Sequence, residues 1–273
     1  MKSCVIFAVS IFSEHKLYVL REFLDTFSNN FKDCDFYIGI NYGSISYVEN
    51  VILDYNFNLK MERLNDSNLY CKSDASVYQL ALRLLKESGN SYDMCWFAHT
   101  KGGVNERDVE RNIYIKDLYE KRYEIENFFN INDNIGSYGL RGLGPVGAGG
   151  DVWANFNNDH HIEICSNKIV GDLKYTHVNW SYIDTMYVIK GSIVNYFLQI
   201  SPINFYKTKI NEPCYFEVIF PWIASRCGYF PYVKQEKSYW GDNNLKNITN
   251  EWIEENNLFE LKKYLLLSDF IYN

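Results

Sequence analysis

Seven segments of alternating character fill the first hundred residues, and that alternation leaves few folds open. Short apolar runs at 4–12, 35–41, 59–64 and 94–99 read as buried strands. Between them apolar residues recur at helical spacing. Leu17, Leu20, Phe23, Leu24 and Phe27 do so within 15–31, and Val48, Val51, Ile52 and Tyr55 within 46–55. Val77, Leu80, Ala81, Leu84 and Leu85 do so within 73–86. Ser46 and Ser73 stand where N-caps belong, 65–72 reads as a polar loop, and Gly89-Asn90 supplies a stop. Strand and helix in strict succession predict an α/β fold of the doubly wound, Rossmann type: a mostly parallel central sheet flanked by helices.

The fourth strand runs into His99-Thr100-Lys101-Gly102-Gly103, where the Gly pair lets the chain turn sharply. Open α/β sheets bind their ligands at the carboxyl ends of strands. His99, Thr100 and Lys101 are therefore candidate site residues. A solvated loop after a core strand is the plainer alternative.

The rest of the chain is less regular. Residues 108–129 predict one charged helix with an exposed face, and 192–200 and 217–227 predict shorter ones. Residues 178–189 have strand character, and 251–270 predict one or two C-terminal helices. Seven of the chain's 16 Gly lie in 136–150. They include Gly142-Leu143-Gly144-Pro145-Val146-Gly147, formally a GxGxxG. A dinucleotide fingerprint needs a strand before it and a helix after it. Residues 134–139 make a poor strand and 151–158 a poor helix, so the stretch reads as a loop over a ligand. No phosphate-binding P-loop or GxSxG nucleophile elbow occurs.

Composition narrows the classes further. The net charge of −7 argues against a nucleic-acid binder, which would carry a basic face. Seven scattered Cys without a CxxC pair fit a reducing cytoplasmic setting better than a disulfide or zinc scaffold. No stretch reaches the length of a transmembrane segment, and the first residues do not read as a signal peptide. Asp159-His160-His161, with Asp172 and His177, offers metal-ligand types. Adjacent His residues on a strand point to opposite faces, however, so a surface loop is the simpler reading.

Two carboxylates remain. Asp184 lies in an apolar strand and is either a hydrogen-bonded anchor or a substrate contact. Glu217 opens a helix. The helix dipole alone accounts for a carboxylate there, and a rigidly held general base is the functional reading.

The order of these pieces over roughly residues 3–232 resembles glycosyltransferases of the GT-A fold. The apolar strand entering His99-Thr100-Lys101-Gly102 resembles the rhamnan synthesis F group of polysaccharide-assembly proteins. Ile183-Asp184-Thr185-Met186-Tyr187 is similar to a later strand of such enzymes. Phe216-Glu217-Val218, followed by Arg226-Cys227-Gly228-Tyr229, resembles their x-Glu-Asp helix and its Arg.

The resemblance implies one glycosyltransferase domain with a nucleotide-binding half at 1–103, an acceptor-side half at 104–235 and a helical extension at 236–273. It implies a nucleotide-sugar donor, expected to be a UDP-sugar, and a glycan or lipid-linked glycan acceptor. Glu217 falls at the catalytic-base position. Ser10, Asp66 and Asp74 fall where nucleoside contacts are expected, with Thr100 beside them. His99-Thr100-Lys101 stands where the family carries Asp-x-Asp on a divalent metal. Carboxylates suit Mg²⁺ or Mn²⁺, whereas an ammonium repels them. No metal is therefore expected there, and Lys101 and His99 are expected to steady the leaving diphosphate instead. Should a metal be held elsewhere, Asp151, His160 and His177 are the first candidates. A non-catalytic sugar-nucleotide or glycan-binding module of the same fold is the alternative, and a dinucleotide-dependent oxidoreductase using the Gly142–Gly147 loop is a more distant one.

Overall fold

Every residue of the first strand, β1 (Ser3–Val9), is buried, so this strand must be covered on both faces. In the computed structural model it is. The structure describes residues 1–65, 74–103, 107–140, 142–143, 181–182, 185–200, 216, 220, 223–224 and 229–234. After β1 come α1 (Leu17–Asn30), β2 (Asp35–Ile40), α2 (Val48–Leu53), β3 (Asn58–Arg63), α3 (Ala75–Ser88) and β4 (Met94–His99). Then follow α4 (Asp108–Tyr114), a π-helical turn (Ile115–Tyr119), α5 (Arg122–Ile131), β5 (Ile135–Gly139), β6 (Gly142–Leu143), β7 (Ser181–Tyr182), β8 (Tyr187–Lys190), α6 (Gly191–Ile200) and β9 (Phe230–Val233).

Among the described residues, seven strands form one sheet in the order β3-β2-β1-β4-β8-β5-β9, and β6 pairs with β7 apart from it. β3, β2, β1 and β4 are mutually parallel, β8 runs antiparallel to both β4 and β5, and β9 is parallel to β5. The protein is thus α/β with a mostly parallel mixed sheet flanked by helices.

Strand alternation sorts the core into two halves. Val5, Phe7 and Val9 pack with α1 and α2 on one face, joined by Trp96 and Ala98. Cys4, Ile6 and Ala8 face α3 and α6 on the other, joined by Cys95, Phe97 and Tyr187. Val77 of α3 lies so close over Gly39 of β2 that a side chain there would strike its carbonyl, which seats the start of α3 directly on the sheet.

Several expectations need correction. The second helix begins at Val48 with no side-chain cap, so Ser46 does not cap it. α3 begins at Ala75 with Asp74 at the cap position, and Asp74 makes no capping hydrogen bond because its carboxylate is engaged elsewhere. The charged helix expected at 108–129 is broken by the π-helical turn, and its Arg111 and Arg122 are buried rather than solvated. Residues 135–139, read as a poor strand, form a buried strand of the main sheet. The single strand expected at 178–189 is two, β7 and β8, with Thr185 between them at φ 43°. Gly89 does end α3, in a left-handed conformation, and α6 lies where a short helix was expected. The C-terminal helices expected at 251–270 lie outside the described residues. No helix among the described residues is long and apolar enough to cross a membrane.

Candidate functional site

The sheet reverses its winding between β1 and β4. From β1 the chain steps outward to β2 and β3, then returns through α3 to lay β4 on β1's other side. Such a switch point opens a crevice at the carboxyl ends of the two strands. The residues at those ends are Ser10 and His99. Register pairs Ala8 with His99, and alternation turns His99 to the Phe97 side of the sheet, toward α3.

Asp74, at the start of α3, meets both. Ser10 Oγ donates to Asp74 Oδ1 at 3.0 Å, and His99 Nδ1 lies 2.7 Å from Asp74 Oδ2. Burial opposes ionisation of Asp74. The neighbouring His99, its hydrogen bond, that of Ser10 and the charge of Lys101 together outweigh it and hold the carboxyl below its usual range. An ionised carboxylate only accepts, so His99 Nδ1 carries the hydrogen. Nε2 then presents a lone pair, or an N–H when the ring is an imidazolium. That nitrogen is shielded from solvent and makes no hydrogen bond among the described residues.

The order of contacts limits the chemistry. Ser10 gives its proton to Asp74, not to His99, so this is not a nucleophilic Ser–His–Asp relay. The cluster instead fixes an imidazole whose outer nitrogen has no hydrogen-bond partner among the described residues.

Thr100 also has a structural part. Its hydroxyl accepts from Ser10 N–H at 2.9 Å and donates to Ser10 C=O at 3.2 Å, which clamps the two strand ends together. Beyond it the chain folds into a tight turn closed by Gly103 N–H on Thr100 C=O at 2.9 Å. Gly102 holds φ 91° at the turn's third position, and a side chain at Gly103 would come within 2.5 Å of Ser10 C=O. Lys101 is thereby set at the crest of this turn. Arg111 steadies it from below, reaching Lys101 C=O at 3.4 Å while bound to Glu22 and Asp108 at 2.6 Å each.

Two further residues at this end of the sheet were not singled out by the sequence. Arg63, at the end of β3, pairs with Glu49 and donates to the carbonyls of Ser44 at 2.6 Å and Ile45 at 3.0 Å. It so fixes the loop after β2, whose Ser44 Oγ accepts from Ile11 N–H. Tyr78 of α3 has its ring centroid 6.5 Å from that of His99, donates to Thr185 C=O at 2.9 Å, and packs 5.6 Å from the Phe216 ring. Thr185 and Phe216 flank Asp184 and Glu217 in the sequence. A Tyr within an apolar helix face carries no sequence signal for such a junction.

Of the predicted site residues, Ser10, Asp74, His99, Thr100 and Lys101 come together at this edge. Asp66, Asp184 and Glu217 lie outside the described residues, as do Asp151, Asp159, His160, His161, Asp172 and His177. Gly142 lies in a strand paired with Tyr182, and 144–147 are outside the described residues.

The donor set at this edge does not fit a divalent metal on a diphosphate. Thr100's hydroxyl is committed to backbone, Lys101 is cationic, and both Asp74 oxygens take hydrogen bonds. No group of three or more potential metal-ligating side chains occurs among the described residues. The chain matches no protein-family model and no curated protein sequence.

Proposed function

We propose that this protein is a GT-A-type glycosyltransferase. In this reading it takes a nucleotide sugar, a UDP-sugar first among the candidates, and transfers the sugar with inversion to a glycan or lipid-linked glycan hydroxyl. One observation carries the reading: three segments far apart in sequence deliver Ser10, Asp74 and His99 to the switch point of a doubly wound sheet, with Lys101 beside them. That is where α/β sheets hold nucleotides.

In the proposed reaction Glu217 removes the proton of the acceptor hydroxyl. The hydroxyl oxygen attacks the sugar carbon, the bond to the diphosphate breaks in line, and Lys101 and His99 stabilise the departing charge. No step requires a metal. The second reading, a binding module without catalysis, predicts the same nucleotide affinity and no turnover.

The test has two stages. Millimolar UDP, GDP, CDP or dTDP should raise the melting temperature, since a ligand of the native state stabilises it. Release of nucleoside diphosphate across a donor panel then separates enzyme from binding module. Glu217→Gln should keep nucleotide affinity and lower transfer by roughly two orders of magnitude or more, the scale for losing a general base. A loss of only a fewfold removes Glu217 from this role and makes Asp184 the next residue to test.

A further inference from the structure

The Asp74–His99 pair has a consequence that builds on the nucleotide reading above. The imidazole is held on one side by a carboxylate at 2.7 Å, and its other nitrogen is shielded and unsatisfied. A shielded polar atom without a partner costs free energy that a ligand atom can recover.

Charge decides which ligand atom. With His99 neutral, the pair is anionic through Asp74, and that charge opposes an incoming phosphate. Lys101 cancels it but adds no surplus. A proton on His99 changes the balance: carboxylate, imidazolium and phosphate then alternate in sign.

Among the described residues, the other groups around the ring do not supply that charge. Ser10 is neutral and donates to Asp74. Tyr78 donates to Thr185 C=O. Arg111 is matched by Glu22 and Asp108. Tyr187, on β8, donates to Phe216 C=O. We infer that His99 binds a phosphate oxygen of the donor as an imidazolium, through Nε2–H, so that the protein takes up a proton when the nucleoside diphosphate binds. His99 and Lys101 together would then supply the positive charge that a metal supplies in enzymes carrying Asp-x-Asp.

The sign follows from linkage. The bound state holds the extra proton, so above the phosphate's own protonation near pH 6 affinity rises as pH falls. It falls as pH rises through the imidazole range, by up to about tenfold per pH unit. A neutral nucleoside, lacking the phosphate, shows no such dependence.

Isothermal titration of the intact chain with UDP tests this, run between pH 7.5 and 8.5 in buffers of different ionisation enthalpy. The phosphate itself is fully ionised there, since its second proton leaves near pH 6. The expected result is an enthalpy that tracks the buffer with the sign of proton uptake for UDP, and none for uridine. His99→Gln keeps a donor near the Nε2 position but cannot titrate, so uptake should vanish and the pH dependence flatten. If His99→Gln fails to fold, Asp74→Asn should reduce uptake instead, because the imidazolium loses its counter-charge. UDP binding without uptake, or with uptake that persists in His99→Gln, overturns the inference and leaves the nucleotide reading standing. No binding by UDP, GDP, CDP or dTDP at any pH overturns both.

Discussion

Both ends of β1 carry a serine bonded to a carboxylate, and they differ in what closes the cluster. At the amino end Ser3 Oγ donates to Glu126 Oε1 at 2.5 Å, and Arg122 completes the group. The Arg122 guanidinium reaches Glu126 at 2.9 Å, Asn30 C=O at 2.8 Å and both oxygens of Asp33, and only 1% of the residue is exposed. At the carboxyl end Ser10 donates to Asp74, and His99 completes the group with one nitrogen left over. The two serines differ in parity, so one cluster lies on the α1 and α5 side of the sheet and the other on the α3 side. The amino-end cluster is shut by a planar cation whose hydrogen bonds are spread over two carboxylates and a carbonyl. The carboxyl-end cluster is shut by a titratable ring with an open valence. A satisfied buried network holds a fold together, whereas an unsatisfied buried atom needs a further explanation, which the proposed nucleotide site supplies.

The strongest test of that contrast is Arg122→Ala. It leaves Glu126 buried with only Ser3 for a partner, and stripping one member from a buried ion pair costs about 3–5 kcal/mol. Urea denaturation should show the loss, and UDP affinity of the folded fraction should be unchanged. A loss below about 1 kcal/mol, the scale of an exposed ion pair, would remove the amino-end cluster from the stabilising core.

Lys101→Ala should behave in the opposite way. Its charge stands on a turn and contributes to stability only as one of several groups that favour ionised Asp74, so the stability loss should be smaller than that of Arg122→Ala. Removing one charge-stabilising donor commonly costs a few kcal/mol of barrier, so transfer should fall by more than about tenfold. Transfer by the wild type should also survive a strong chelator. Activity lost to chelation and restored by Mn²⁺ would show a metal held elsewhere in the chain and would weaken the assignment of Lys101.

A matched pair of truncations comes next in size. Ser3→Ala and Ser10→Ala each delete one hydrogen bond to a charged group, worth about 1.5–3 kcal/mol. Both should lower stability by similar amounts. Only Ser10→Ala should also weaken UDP binding, because Ser10 helps hold the carboxylate that orients His99. Equal effects of the two on UDP affinity would erase the distinction between the ends.

How much of this was legible in the sequence depends on which residues carried the signal. β1 was plain because burial on both faces makes it apolar throughout, from Cys4 to Val9. β5 was not. Its Gly136, Ser137 and Gly139 are poor strand formers, and it is a strand because β8 and β9 flank it and Gly136 admits the ring of Tyr229. The end of β4 at His99 was legible, and His99 and Lys101 stood out as candidates because a strand end in an α/β pattern is a position with meaning. Asp74 was named as a candidate contact, but the helix start was assigned to Ser73. A local propensity rule cannot see that Ser10 and His99, 64 and 25 residues away in sequence, recruit the Asp74 side chain. Arg111 and Arg122 resembled a solvated charged face, since i,i+3 and i,i+4 acid–base pairs look alike whether exposed or buried.

The smallest effect separates the two ends by acid titration. Asp33 is held below its usual range by the Arg122 guanidinium bonded to it, against some burial. Asp74 is also held low, as its neighbours outweigh the burial that opposes ionisation. A carboxyl whose folded value lies below its unfolded value contributes stability above the unfolded value, about 3.9 for Asp, and loses it as pH falls through the folded one. Neither residue should therefore alter stability between pH 7 and 5, and both should contribute to the loss below about pH 4. Asp33→Asn and Asp74→Asn should each make the acid limb of a melting-temperature profile shallower while lowering the plateau near neutrality. The Asp33 effect should be reduced by salt, since its side chain is 61% exposed. At pH 7 only Asp74→Asn should also weaken UDP binding, since Arg122 stays cationic with or without Asp33, whereas His99 depends on Asp74 for both its orientation and its counter-charge. An acid limb in Asp74→Asn identical to the wild type, with UDP affinity intact, would reduce the carboxyl-end cluster to a second piece of scaffold like the first.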